Sequence, residues 1–170
     1  MTKALAALVL LFGASMAVAQ AADPLQKAGE TTLVSFQLKG SSKYVSICES
    51  SSSDHPYIVY RSGTASNVEL SFPEDLADSW SRFEFASYLR GGGAQNEGLD
   101  LNHLSFNNGG WRYTVYQEYS AADDTTSVGV RLTRLSDKKK VDLPGTPGTL
   151  KGSLVSLRDE DRIPRGELPD

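Results

Sequence analysis

The stretch Ser105–Tyr119, SFNNGGWRYTVYQEY, decides the architecture. Two Asn and two Gly interrupt a pair of alternating runs. That is the pattern of a short hairpin loop whose central residues need positive φ angles. With Asn108 and Gly109 as the loop, Asn107 is expected opposite Gly110, Phe106 opposite Trp111, Leu104 opposite Tyr113 and Asn102 opposite Val115. This largely apolar set should face a core. On the other face Ser105 should meet Arg112, His103 meet Thr114 and Leu101 meet Tyr116, giving a polar surface with His103, Arg112, Tyr116 and Glu118. A slip of one residue would bury Arg112 and expose Trp111, so the choice of face is strongly specified.

Outward from this hairpin the same period-two pattern recurs. Leu33–Leu38 sets Val34, Phe36 and Leu38 on one side. Asn67–Phe72 groups Val68, Leu70 and Phe72, and Tyr57–Arg61, Arg82–Leu89 and Ser127–Thr133 are rich in β-branched and aromatic residues. Gly, Ser, Asn and Pro separate them, as in Gly40–Ser42, Ser50–Pro56, Ser62–Ser66, Gly91–Gly98 and Ala121–Thr125. With no amphipathic helix of useful length between them, these segments predict an all-β domain over residues 22–157. The expected form is an antiparallel β-sandwich or half-open barrel of roughly eight or nine strands. Leu150, Leu154 and Leu157 fall at helical spacing and predict one short helical turn near 149–157. From Arg158 the chain reads RDEDRIPRGELPD. It is charged and broken by Pro, so residues 158–170 are expected to form a mobile tail with little to bury.

Residues 1–21 have the order of a secretory signal: Lys3, the apolar run Ala4–Phe12, then small residues around Ala19 and Ala21. The run is too short for a bilayer core of ~30 Å. Cleavage after Ala19 or Ala21 would leave about 150 residues, one domain's worth, with no stable membrane span and a periplasmic or secreted location. Cys48 is the sole cysteine, so no internal disulfide can form. It closes the alternating run Tyr44–Cys48, where a buried free thiol is the ordinary outcome and pairing between chains the alternative. The formal net charge of −4 argues against nucleic acid and anionic membrane surfaces as partners. The basic run Lys138–Lys140 sits between strand-like segments and reads as a solvated turn.

The inventory for chemistry is thin. The chain has two His, His55 and His103, and neither has metal-ligand spacing. The Ser-rich run before Asp54-His55 lacks a nucleophile elbow. Gly91–Gly98 is followed by no Lys-Ser or Lys-Thr pair, and the carboxylates Asp123-Asp124 and Asp159–Asp161 have no calcium-loop spacing. No cofactor or metal is expected. The polar hairpin face is either a solvated sheet surface or a binding face, since Arg and Tyr carry interface energy. The expectation is an exported, non-enzymatic binding module acting by surface recognition in the periplasm. A narrower version is an inhibitor or immunity-type partner of a cell-wall-acting enzyme. The competing expectation is an envelope enzyme using His103 with Glu118 or Asp100.

Two resemblances add to this. The segments Tyr57–Gly63, Val68–Pro73 and Phe106–Tyr116 together resemble a family of small exported bacterial proteins of unassigned function, across most of the chain after residue 21. Members of that family carry cysteines near the C-terminus, where this chain has Leu143–Thr146 and Leu168-Pro169. The resemblance therefore implies a lost disulfide with Cys48 as its orphan. Separately, Gly110-Trp-Arg-Tyr113 resembles the Gly-x-x-Tyr part of the Ser-Gly-x-x-Tyr loop that all-β periplasmic lysozyme inhibitors insert into the enzyme cleft. Here Gly109 stands in place of the Ser.

Overall fold

The computed structural model describes residues 22–168, so the expected signal segment 1–21 lies outside the described residues. Alternation sorts the side chains as expected. In β1 (Glu30–Gln37) Val34 and Phe36 point inward, and in β2 (Tyr44–Ser50) Val45 and Ile47 do the same. β3 (Ile58–Thr64) and β4 (Asn67–Phe72) complete the first sheet. The second contains β5 (Glu84–Arg90), β6 (Leu99–Asn108), β7 (Trp111–Ser120), β8 (Thr125–Arg134) and β9 (Lys140–Pro144). β10 (Lys151–Gly152) returns to the first sheet beside β1. The orders are β10-β1-β2-β3-β4 and β5-β6-β7-β8-β9, with every strand pair antiparallel. The molecule is an all-β sandwich and not a closed barrel. The tenth strand, two residues long, is too short to show any period.

The inner faces meet in one core that includes Phe36, Ile47, Ile58, Phe85, Leu104 and Val115. At one side the sheets are stitched together. Chain leaving β9 bends at Gly145, which bridges to Leu38, and the Thr146 N–H donates to the Gln37 carbonyl at 2.8 Å. A Cβ on Gly145 would lie 2.5 Å from the Phe36 ring, so only glycine lets the strand pass this close. On the opposite side β4 and β5 are not paired, and a seam stays open.

The central hairpin corrects the expected register. Gly109 and Gly110, with φ of 55° and 79°, form the loop. Asn108 therefore faces Trp111, Phe106 faces Tyr113, Leu104 faces Val115 and His103 faces Tyr116. Glycine at both loop positions adopts positive φ without the Cβ clash Asn108 would suffer. Moving the loop by one residue changes each partner by two, so every side chain keeps its expected face. Val68, grouped with Leu70 and Phe72, is instead exposed. A bulge between Ser62 and Gly63 shifts the register between Leu70 and Val68.

The C-terminal segment holds a further correction. The expected helical turn is a single 3-10 turn, Leu154–Leu157, with both Leu buried and the Ser153 hydroxyl accepting from the Val155 N–H. Residues beyond it were expected to have little to bury, yet Ile163 is 1 % exposed in the core. The Phe85 N–H donates to the Pro164 carbonyl at 2.9 Å and the Gly166 N–H to the Phe85 carbonyl at 3.0 Å, adding a parallel bridge to the edge of β5. The charges are used as well. Arg162 stacks 3.7 Å above the Trp80 ring centroid, and Arg158 reaches Asn102 and Asp100.

The outer face of the first sheet lies under residues 22–29. Asp23 accepts from Thr32 and Ser46 there, and Arg61 grips Glu30 with two hydrogen bonds of 2.6 and 2.7 Å. Burial alone would push the Glu30 carboxyl up. The Arg61 hydrogen bonds, the Lys27 N–H and the Tyr57 hydroxyl outweigh it and hold the carboxyl below its ordinary range. Cys48 is buried beside Ser46, unpaired, and burial pushes its thiol up to about 11. Such a thiol is protonated and inert at neutral pH.

Candidate functional site

The polar face of the hairpin is less open than its composition predicts. His103, Ser105, Thr114 and Tyr116 are all buried, His103 to 4 % exposure. Side chains lying flat against the sheet do the covering. The Tyr116 ring rests across Gly129, where an added Cβ would come within 2.4 Å of the Tyr116 hydroxyl. That hydroxyl donates to Asp142 at 3.4 Å, and Arg131 sits 4.9 Å above the ring centroid. Ser105 and Thr114 share a hydrogen bond of 3.0 Å.

Three of the four expected residues form one network. His103 Nε2 meets Glu118 Oε1 at 2.7 Å, and Arg131 lies 3.7 Å from the same oxygen. The His103 hydrogen bond, helped by Arg131, holds the Glu118 carboxyl below its usual range in spite of burial. Glu118 is therefore an ionised acceptor, and His103 Nε2–H is the donor. His103 Nδ1 is buried with no hydrogen-bond partner among the described residues. Burial, followed by the Asp142 charge, pushes the Tyr116 phenol up to about 12. Glu118 and Tyr116 are both displaced away from neutrality, the wrong direction for shuttling protons at pH 7.

Arg112 departs from this group. It turns to Glu84 on β5, with Nη2 2.7 Å from Oε2. This pair stands at the rim of a cleft of about 660 Å³ on the open seam. β5 begins at Glu84 opposite Ser105, so Phe106–Asn108 run on without a neighbour on that side. Their overhang forms one wall, Leu70–Phe72 of β4 the other, and the connection Pro73–Arg82 closes the end. The half-buried Phe72 ring stacks on Phe106, with centroids 4.2 Å apart and planes 14° apart. Asn107 and Arg82 are exposed at the mouth.

Hairpin logic places Arg112 and Asn107 correctly as neighbours of a turn. It gives no signal for Glu84, Arg82 or Phe72, which arrive from another part of the chain. The segment Gly110-Trp-Arg-Tyr113 divides across the sheet. Arg112 points to the cleft, while Tyr113 turns inward and stacks on Phe106 with centroids 4.8 Å apart. Among the described residues no three His, Cys, Asp or Glu are grouped to hold a metal ion, and no helix is long and apolar enough to cross a membrane. No family model, curated protein or solved structure matches the chain.

Proposed function

We propose that this chain is an exported, non-enzymatic binding module and that it recognises its partner at the seam cleft. The carrying observation is the position of Arg112. Of the four residues marked by the hairpin pattern, it alone lines this cleft, beside Asn107 and Asn108. Concave sites with a few convergent polar groups around an apolar floor are where ligands bind. Export is supported by Lys3, the apolar run Ala4–Phe12 and the small residues at Ala19 and Ala21. Against chemistry at His103 stands its burial, with one nitrogen engaged by Glu118 and the other enclosed. A general base must reach the proton it removes.

The test compares capture from a periplasmic extract by the native domain and by an Asn107→Ala/Arg112→Ala variant. A macromolecule retained by the first and lost by the second supports the reading. Equal capture by both overturns the assignment to the cleft. Inhibition of a captured wall-acting enzyme would assign the narrower inhibitor role.

A further inference from the structure

We infer that the cleft takes an uncharged saccharide, a deduction that rests on reading the cleft as the binding site. Charge is the first argument. Arg82 and Arg112 share the cleft with Glu74, Asp75 and Glu84. An anion would have to approach three carboxylates, and a polycation two guanidiniums. Arg112 and Glu84 already satisfy one another at 2.7 Å, which removes one charge of each sign from competition for a ligand. Arg82, Glu74 and Asp75 remain and are mixed in sign, so neither an anion nor a polycation finds a uniformly complementary surface, whereas a neutral ligand meets no repulsion.

Hydrogen-bonding capacity is the second. The side chains of Ser71, Glu74, Arg82, Asn107 and Asn108 make no hydrogen bond to any described residue, although all five line one recess. They include pure donors, pure acceptors and groups that do both. Sugar hydroxyls also donate and accept, so a polyol can satisfy this mixed set at once. The floor supplies the remaining element. Phe72, stacked on Phe106 and edge-on to Phe83, stays half-buried, and its exposed part offers an apolar patch for the C–H face of a pyranose ring. The volume of about 660 Å³ lies within the ~300–1,000 Å³ usual for small-ligand sites and suits a short oligosaccharide.

An extended peptide is the rival occupant, and it fits less well. Strand addition draws its affinity from a run of unpaired main-chain groups. The overhang of β6 stops at Asn108, where the chain turns through Gly109 and Gly110, and of the unpaired edge of β4 only Leu70–Phe72 lines the cleft before Pro73 ends the strand. Successive residues of an antiparallel strand alternate their hydrogen bonds between the two sides. So short an overhang offers little backbone to a guest, whereas the polar side chains are plentiful.

The experiment is an amide-resonance titration of the intact domain with maltotriose, cellotriose and the neutral N-acetylated chitotriose, and with a neutral extended heptapeptide in parallel. Saturable shifts from at least one sugar, centred on Phe72, Asn107, Asn108 and Arg112, are expected. The Asn107→Ala/Asn108→Ala variant, altered only at the hairpin tip, should retain the native spectrum elsewhere and bind that sugar roughly tenfold or more weakly. Sugar shifts that scatter over the surface, or that persist unchanged in the variant, overturn the inference. Binding of the peptide without any sugar overturns it too, yet leaves the cleft as the recognition site. If neither probe binds, the saccharide inference falls, and the fate of the cleft is decided by the capture comparison above.

Discussion

The two sheets treat their outer faces in opposite ways. Both bury polar residues that a simple alternation would leave in water. On the first sheet, residues 22–29 lie across Ser46, Cys48 and Arg61, and the Glu30–Arg61 pair is sealed, with side chains 0 % and 3 % exposed. On the second, no such segment is needed. Tyr116, Arg131 and Glu118 lie down upon the strands and cover His103 themselves. A lid made of main chain can exclude water fully. A lid made of side chains stays partly wet, and Glu118 keeps 27 % of its side chain exposed. The first arrangement should thus dominate stability, while the second should respond to its surroundings.

Breaking the sealed pair should give the largest effect. Glu30→Ala leaves the Arg61 guanidinium buried without its partner and should cost about 3–5 kcal/mol in denaturant unfolding. Glu30→Leu combined with Arg61→Met should recover much of that loss. A cost below about 1 kcal/mol for the single change would show that water reaches the pair. Next comes the side-chain lid. Gly129→Ala drives a methyl into the Tyr116 hydroxyl and should cost about 1–3 kcal/mol. It should also bring the phenol from about 12 back toward 10 in an alkaline absorbance titration. An unshifted titration would mean that the ring is not held against the sheet.

Acid should weaken both regions, with a smaller effect at Glu118. Each carboxyl has a folded-state value below its ordinary 4.5. Such groups contribute fully above 4.5, and the contribution disappears as pH falls through the depressed folded value. Glu118→Gln should therefore flatten the acid limb of the stability curve, with a neutral-pH cost of roughly 0.5–1.5 kcal/mol for the weakened bond to His103. An unchanged acid limb would remove Glu118 from the account. The smallest effect belongs to a pair outside both lids, Lys43 with Glu69, whose side chains are nearly half exposed. Glu69→Gln should change stability by under about 1 kcal/mol, and the change should vanish in high salt.

These contrasts show what alternation can and cannot reveal. Val34, Phe36, Leu104 and Phe106 were legible as core because a strand shows its inner face every second residue. The hairpin could be placed two partners out of register and still sort its faces correctly. Alternation says nothing about what covers the outer face. Ser35 and Ser46 look solvated until the segment carrying Asp23 is laid over their sheet. Ile163 looks stranded among charges, and only the seat beneath β5 reveals it as core. Arg112 was picked out of the site by residue type, but its partner Glu84 lies in a different hairpin. Pairings between distant segments are set by the three-dimensional fold, and local patterning carries no trace of them.

The stitching of β1 to β10 and of β5 to Pro164–Gly166 has a consequence in time. A ribosome delivers the chain from its N-terminus, so β1 waits for Lys151 and Gly152, and β5 waits longer still. Of the residues in the core cluster, Ile163 is the last to be made. Until then both edges lack these partners, and contacts so distant in sequence form against the cost of loop closure. The seats beside β1 and β5 are therefore filled only once synthesis has passed residue 166.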